Sequence, residues 1–160
     1  MGNLSVKHNL VKVKLNGQNW GFMDLESHVG KEFLERSKRK ESLVVRFSNE
    51  EGWYYLKRFS NTALSHYRIS DPILYSRVYT EGRVFTEIDR KRYSYIVNQR
   101  LSKGNIYDVD SYSRLLFLAR LWGDIHVLYE NNIKHYFNPY TLKLEPVSYT
   151  HLTLPTILLV

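Results

Sequence analysis

The chain contains no cysteine. That single absence excludes a disulfide-stapled miniprotein, a cysteine zinc site and a thiol enzyme. No apolar run approaches the ~18–20 residues that a membrane-spanning helix needs, so no spanning helix is expected. The segment Met1 to Asn9 lacks the apolar stretch of an export signal. No Gly-rich GxGxxG phosphate loop occurs anywhere. Charge is also missing from one end: Pro146 to Val160 carries no Lys, Arg, Asp or Glu. What is present is one domain's worth of sequence, 160 residues with 43% hydrophobic content and 14% aromatics, 13 of them Tyr. The net charge is +7, from 23 basic and 16 acidic residues. This aromatic content with moderate charge excludes a disordered chain.

Local patterns predict the elements. Leu10 to Leu15 alternates apolar and basic residues at strand period, Asn16-Gly17 is a hairpin turn signal, and Trp20 to Leu25 is the return strand. Residues 29–39 place Val29, Phe33 and Leu34 on one helical face with Lys31, Glu35, Arg36 and Lys38 opposite. Ser42 to Phe47 reads as a buried strand, Ser48 to Gly52 as a turn and Trp53 to Leu56 as a weaker extended segment. Residues 60–85, with Pro72 and Gly82, read as irregular connection with one short strand near Leu74 to Tyr79.

From Thr86 the pattern is helical. Thr86 is the expected N-cap, Glu87 and Asp89 fill the first turn, and Gly104 supplies the stop. A second helix is expected from Asp110-Ser111, and its wide apolar face through Leu115, Leu116, Leu118, Ala119, Leu121 and Trp122 predicts deep burial. Gly123 interrupts it. Ile133 to Phe137, Asn138 to Thr141 and Leu142 to Val147 form a closing hairpin. The class is α+β, with strands first, two core helices next and a hairpin last.

Three features could carry chemistry. Asp124, His126, Asn131 and Asn132 follow the second helix directly, and these types can supply a general base, a metal ligand or a phosphate-orienting amide. The alternative is ordinary: an aspartate at a helix end, a histidine packed on Trp122 and asparagines in a turn. Arg46 is a cation inside an apolar strand and must reach solvent, a phosphate or a carboxylate such as Glu26. Lys38-Arg39-Lys40 and Arg90-Lys91-Arg92 are basic clusters interleaved with Glu35, Glu41, Glu87 and Asp89. Such interleaving reads as solvated helix faces, and no helix-turn-helix, RNP-type or zinc-finger pattern accompanies it, so nucleic acid is not the expected partner.

Two stretches together resemble one family. VKVKLNGQNWGFMDLESHVGKEFLERSKRKESLVVRF is similar to the N-terminal part of the spore-coat protein H (CotH) kinase family, and LARLWGDIHVLYENNIKHYFNPYTLKLEPV to a later block of it. The resemblance covers about residues 10–147, with nothing diagnostic at 60–85. It implies a two-lobed, protein-kinase-like fold and an atypical kinase that uses ATP and Mg²⁺ to phosphorylate Ser in protein substrates without a Gly-rich loop. On that template 1–60 is the β-rich N-lobe-like part, 61–85 the connection and 86–147 the helical part with its catalytic-type hairpin. Arg46 would contact phosphate, Glu26 would orient it, Asp124 or His126 would sit beside the attacking hydroxyl, and Asn132 would help hold metal.

Two departures stand out. Ser27 precedes His28 where the family carries Glu, and Thr150 follows Tyr149 where the family has a metal-binding Asp. A threonine hydroxyl cannot replace a carboxylate at a hard divalent cation. The stretch 148–160 resembles the translated adapter tails of assembled environmental sequences, so the expectation is a kinase fragment ending near Tyr149, with weak ATP binding and no detectable Ser phosphorylation. A non-catalytic protein-interaction domain on the same scaffold is the alternative.

Overall fold

The computed structural model describes residues 3–47, 76–79, 85–129 and 132–148. The expected turn at 48–52, the extended segment at 53–56, most of the 60–85 connection, Asn131 and the 148–160 stretch beyond Ser148 lie outside them. In chain order the elements are β1 (Leu4–Ser5), β2 (His8–Leu15), β3 (Gln18–Glu26), α1 (Lys31–Arg36), β4 (Val44–Phe47), β5 (Ser76–Tyr79), α2 (Glu87–Leu101), α3 (Val109–Trp122), a 3₁₀ turn (Ile125–Leu128), β6 (Lys134–Asn138) and β7 (Lys143–Ser148). Strands and helices mix along the chain, as the α+β class requires. Among the described residues no helix is long and apolar enough to cross a membrane.

The strands form two sheets. β2 and β3 make a two-stranded antiparallel ribbon, and the other five strands make one sheet in the order β1-β7-β6-β4-β5. Asn16 (φ 51°) and Gly17 (φ 81°) both take the left-handed backbone that a tight two-residue hairpin demands, which is why that sequence turns there. In the larger sheet only the β1–β7 pair is parallel, with Leu4 level with Val147. The closing hairpin β6–β7, last along the chain, lies between β1 and β4 in space. β4 therefore pairs with both β5 and β6, Val45 standing level with Val78 and with His135.

Alternation along β4, β6 and β7 sends side chains to two cores. Val44, Tyr136 and Val147 meet Val29, Phe33 and Leu34 of the α1 segment, together with Leu4 and Val6. Leu43, Val45, Phe47, Phe137 and Leu144 meet Ile96 of α2 and Ile106 on the opposite face. Each fully buried large apolar side chain contributes ~1.5–3 kcal/mol relative to exposure. A third cluster, Leu115, Ala119, Val127 and Ile133, sits under α3 and the 3₁₀ turn.

The α1 segment is helical over six residues, shorter than 29–39, but buries the expected face. Lys38 (φ 54°) takes the left-handed backbone just beyond its end. Thr86 caps α2 through a full capping box: its Oγ1 accepts from Asp89 N (3.2 Å), and Asp89 Oδ2 accepts from Thr86 N (3.1 Å) and Oγ1 (2.7 Å). α2 ends earlier than a glycine stop would place it, and the left-handed residue there is Lys103. Gly104 matters for closeness instead, because a Cβ there would stand 3.1 Å from the Gln99 carbonyl oxygen. α3 begins at Val109, one residue before Asp110, with Asp108 accepting from Ser111 N (2.9 Å), and Gly123 (φ 71°) closes it.

Two expectations are corrected by packing. The wide apolar face of α3 is not buried all round: Ser111, Leu115 and Ala119 face inward, while Leu116, Phe117, Leu118, Leu121 and Trp122 are exposed. A helix that packs against β7 and the 3₁₀ turn can bury only one stripe. The Lys38-Arg39-Lys40 cluster is likewise not a solvated face throughout. Arg39 is nearly buried, its Nε (2.9 Å) and Nη2 (2.7 Å) both donating to Glu145 Oε2 on β7. Asn138 Nδ2 donates to the other carboxylate oxygen at 2.6 Å, so the buried charge is fully engaged.

Candidate functional site

The C-terminus of α3 builds a compact polar turn. Gly123 reverses the chain, and Asp124 then caps the 3₁₀ turn, its Oδ1 accepting from His126 N at 3.1 Å. Asn132 Nδ2 donates to the His126 carbonyl at 2.9 Å, and Asn132 N donates to the Tyr129 carbonyl at 2.8 Å. The His126 ring meets the Tyr129 ring edge-on, with centroids 5.4 Å apart. Val127 anchors the turn from behind by burial against Leu115, Ala119 and Ile133. Asp124, His126 and Asn132 are thus brought together by local hydrogen bonds on a buried apolar peg, at an element end where groups are both held and open to solvent.

The other two candidates lie elsewhere. Arg46 is half-buried on β4, level in backbone register with Arg77 of β5. Glu26 ends β3, level with His8, so the two belong to different sheets. His8 itself pairs with Asp24, Nδ1 to Oδ2 at 2.6 Å, along that ribbon.

A second polar constellation, absent from the sequence reading, is buried behind β6. His135 is 3% exposed and its Nδ1 hydrogen-bonds the Tyr112 hydroxyl of α3. Phe47 (ring centroids 5.1 Å) and Tyr107 (6.1 Å) enclose the imidazole, and Tyr112 stacks on it. Arg100 lies 4.0 Å from the Phe47 ring centre and donates to the Tyr107 hydroxyl at 2.5 Å. Burial, and then the Arg100 charge, pushes the imidazole down to about 3, and burial raises the Tyr112 hydroxyl well above its usual range. Both groups are therefore neutral at ordinary pH. His135 Nε2 is buried with no hydrogen-bond partner, a cost the surrounding packing offsets. The one available signal was strand period: His135 alternates with Ile133 and Phe137, so a strand that buries those two buries the histidine with them.

Chemically the two constellations differ. The buried histidine is locked neutral and away from solvent, a packing element. The solvent-facing turn keeps an uncommitted Asp124 Oδ2, the His126 imidazole and the Asn132 amide oxygen, groups able to accept a proton or meet a hard cation. Among the described residues no group of three or more His, Asp or Glu side chains is placed to hold a metal ion. The turn offers one carboxylate and one amide oxygen, fewer than the about six oxygens that Mg²⁺ takes. No family model matches the chain, and no curated protein matches it.

Proposed function

We propose that this chain is part of an atypical ATP- and Mg²⁺-dependent protein serine kinase of the CotH type, with the two-lobed organisation of that family. The observation that carries the reading is the polar turn after α3, where Asp124, His126 and Asn132 share one hydrogen-bonded, solvent-facing site. Phosphoryl transfer requires positioning more than covalent chemistry: a cation at the phosphates, hard oxygens near the metal and an acceptor for the hydroxyl proton. Asn132 and Asp124 supply the oxygens. Asp124 or His126 receives the proton of a substrate Ser, and Arg46, oriented by Glu26, is assigned to the phosphates by resemblance.

Asp124 and Asn132 are the residues that would hold Mg²⁺, which would supply positive charge against the phosphate charge. With about six oxygen ligands to satisfy and Thr150 where a second carboxylate is expected, its hold in this chain is weak. The test is ATP titration of the purified chain by calorimetry with and without Mg²⁺. Weak binding that falls further in Arg46→Ala is expected, with Ser phosphorylation of a generic protein undetectable and Mg²⁺-dependent ATP affinity raised roughly tenfold by Thr150→Asp. No ATP binding at all, or binding that Arg46→Ala leaves intact, sinks the reading.

A further inference from the structure

We propose that Asn16-Gly17, at the tip of the β2–β3 ribbon, is a self-modification site: the asparagine converts to isoaspartate, and the conversion dismantles the ribbon. Eleven asparagines occur in the chain, and only Asn16 precedes glycine. The reaction needs the next residue's amide nitrogen to reach the asparagine Cγ, and a Cβ on that next residue obstructs the approach. Gly17 has none, and nothing lies within 4 Å of where one would stand. Both residues are exposed, and among the described residues neither the Asn16 side chain nor the Gly17 N–H is engaged in a hydrogen bond. Other asparagines differ on each count. Asn19 precedes Trp20 and its Oδ1 accepts from Gly21 N at 3.2 Å, while Asn138 precedes Pro139, which has no amide hydrogen to give up.

The chemistry balances with water alone. Solvent base removes the Gly17 N–H proton, the nitrogen attacks Asn16 Cγ, and a succinimide ring closes as the side-chain nitrogen leaves as ammonia. Water then opens the ring. Breaking the Cγ–N bond gives aspartate; breaking the other carbonyl–N bond gives isoaspartate, with the chain now running through Cβ and Cγ. The sum is one water consumed and one ammonia released.

The fold supplies two further conditions. Ring closure requires the turn to leave its paired geometry, and the ribbon is weakly held. β2 and β3 pack chiefly on each other, and none of the three core clusters takes a side chain from residues 8–26. The product, in turn, cannot rebuild the connection. Asn16 (φ 51°) and Gly17 (φ 81°) join Leu15 to its partner Gln18 by a two-residue turn, and one added backbone carbon breaks that fit. Loss of the turn therefore releases the ribbon while the five-stranded sheet stands. The inference is independent of the kinase reading.

Incubation of the full chain in mildly alkaline buffer tests it, read by isoaspartate methyltransferase labelling and by peptide mass mapping with fragmentation that locates the site. The expected result is isoaspartate at Asn16 ahead of the other ten asparagines. Hydrogen exchange of the converted chain should show protection lost in β2 and β3 and kept in β4, β6 and β7. Asn16→Gln, which would have to close a larger ring, is expected to lose the labelling at this position. Freshly purified Asn16→Asp carries the new charge on an intact backbone and is expected to keep the ribbon protected. Labelling that falls first on another asparagine overturns the proposal. So does a converted chain whose ribbon stays protected, or an Asn16→Asp ribbon that is already open.

Discussion

β2 and β3 are the longest strands among the described residues, eight and nine residues, yet Leu10, Phe22 and Leu25 on them are exposed; β4 has only four residues, and Val44, Val45 and Phe47 are all buried. The ribbon has an ideal turn and a near-complete ladder, and those local terms form it. They do not make it a source of stability, because a two-stranded ribbon in water is marginal without a covered face. The five-stranded sheet has short strands and long-range pairings, and it holds the molecule together because both of its faces are packed. Pairing length and stabilisation are separate quantities, and this protein separates them.

The comparison can be broken most decisively at its buried end. Phe137→Ala removes a ring packed against Tyr95 (centroids 5.9 Å) and the Leu43, Val45 and Leu144 cluster, and is expected to destabilise by about 3–5 kcal/mol. Urea denaturation measures this, and a loss below about 1 kcal/mol would mean the sheet core is not the main source of stability.

A pH series sharpens the same end. The folded His135 titrates near 3 against an unfolded value near 6.5, so the unfolded chain binds the extra proton between those limits. Its contribution is complete above about pH 6.5 and is lost as pH falls towards 3, with a slope of up to about 1.4 kcal/mol per pH unit. His135→Leu is expected to flatten that part of the stability profile between pH 6.5 and 4, and an unaltered slope would place the dependence on other groups. The smallest effect belongs to the ribbon. Phe22→Ala is expected to change stability by no more than about 0.5 kcal/mol, and a loss of several times that would show the ribbon's exposed face to be energetically coupled to the body.

Legibility followed the same division. The Asn16-Gly17 turn, the Thr86 cap and the β6–β7 hairpin were readable because a few adjacent residues decide each of them. Asp124, His126 and Asn132 were readable as a group for the same reason, being joined through one turn. β1 was not: two residues carry no period, and Leu4 becomes a strand only by pairing with Val147 at the other end of the described chain. The Arg39–Glu145 pair and the Tyr112–His135 contact were hidden likewise, since neither partner's neighbours point to the other. On α3 the apolar pattern was read correctly as helix and incorrectly as depth, because width of an apolar face reports what could be covered and not what is.

The sequence by itself determined where the chain turns, where its helices begin, and which residues gather at the end of α3, because backbone sterics and capping act over three or four residues. Tertiary structure alone decided that the closing hairpin lies in the middle of the sheet, that His135 is buried against Tyr112 and Glu145 is buried and engaged by Arg39, and that half of α3 faces water. Those outcomes depend on which surfaces meet, and burial is a property of pairs of segments that no single segment carries.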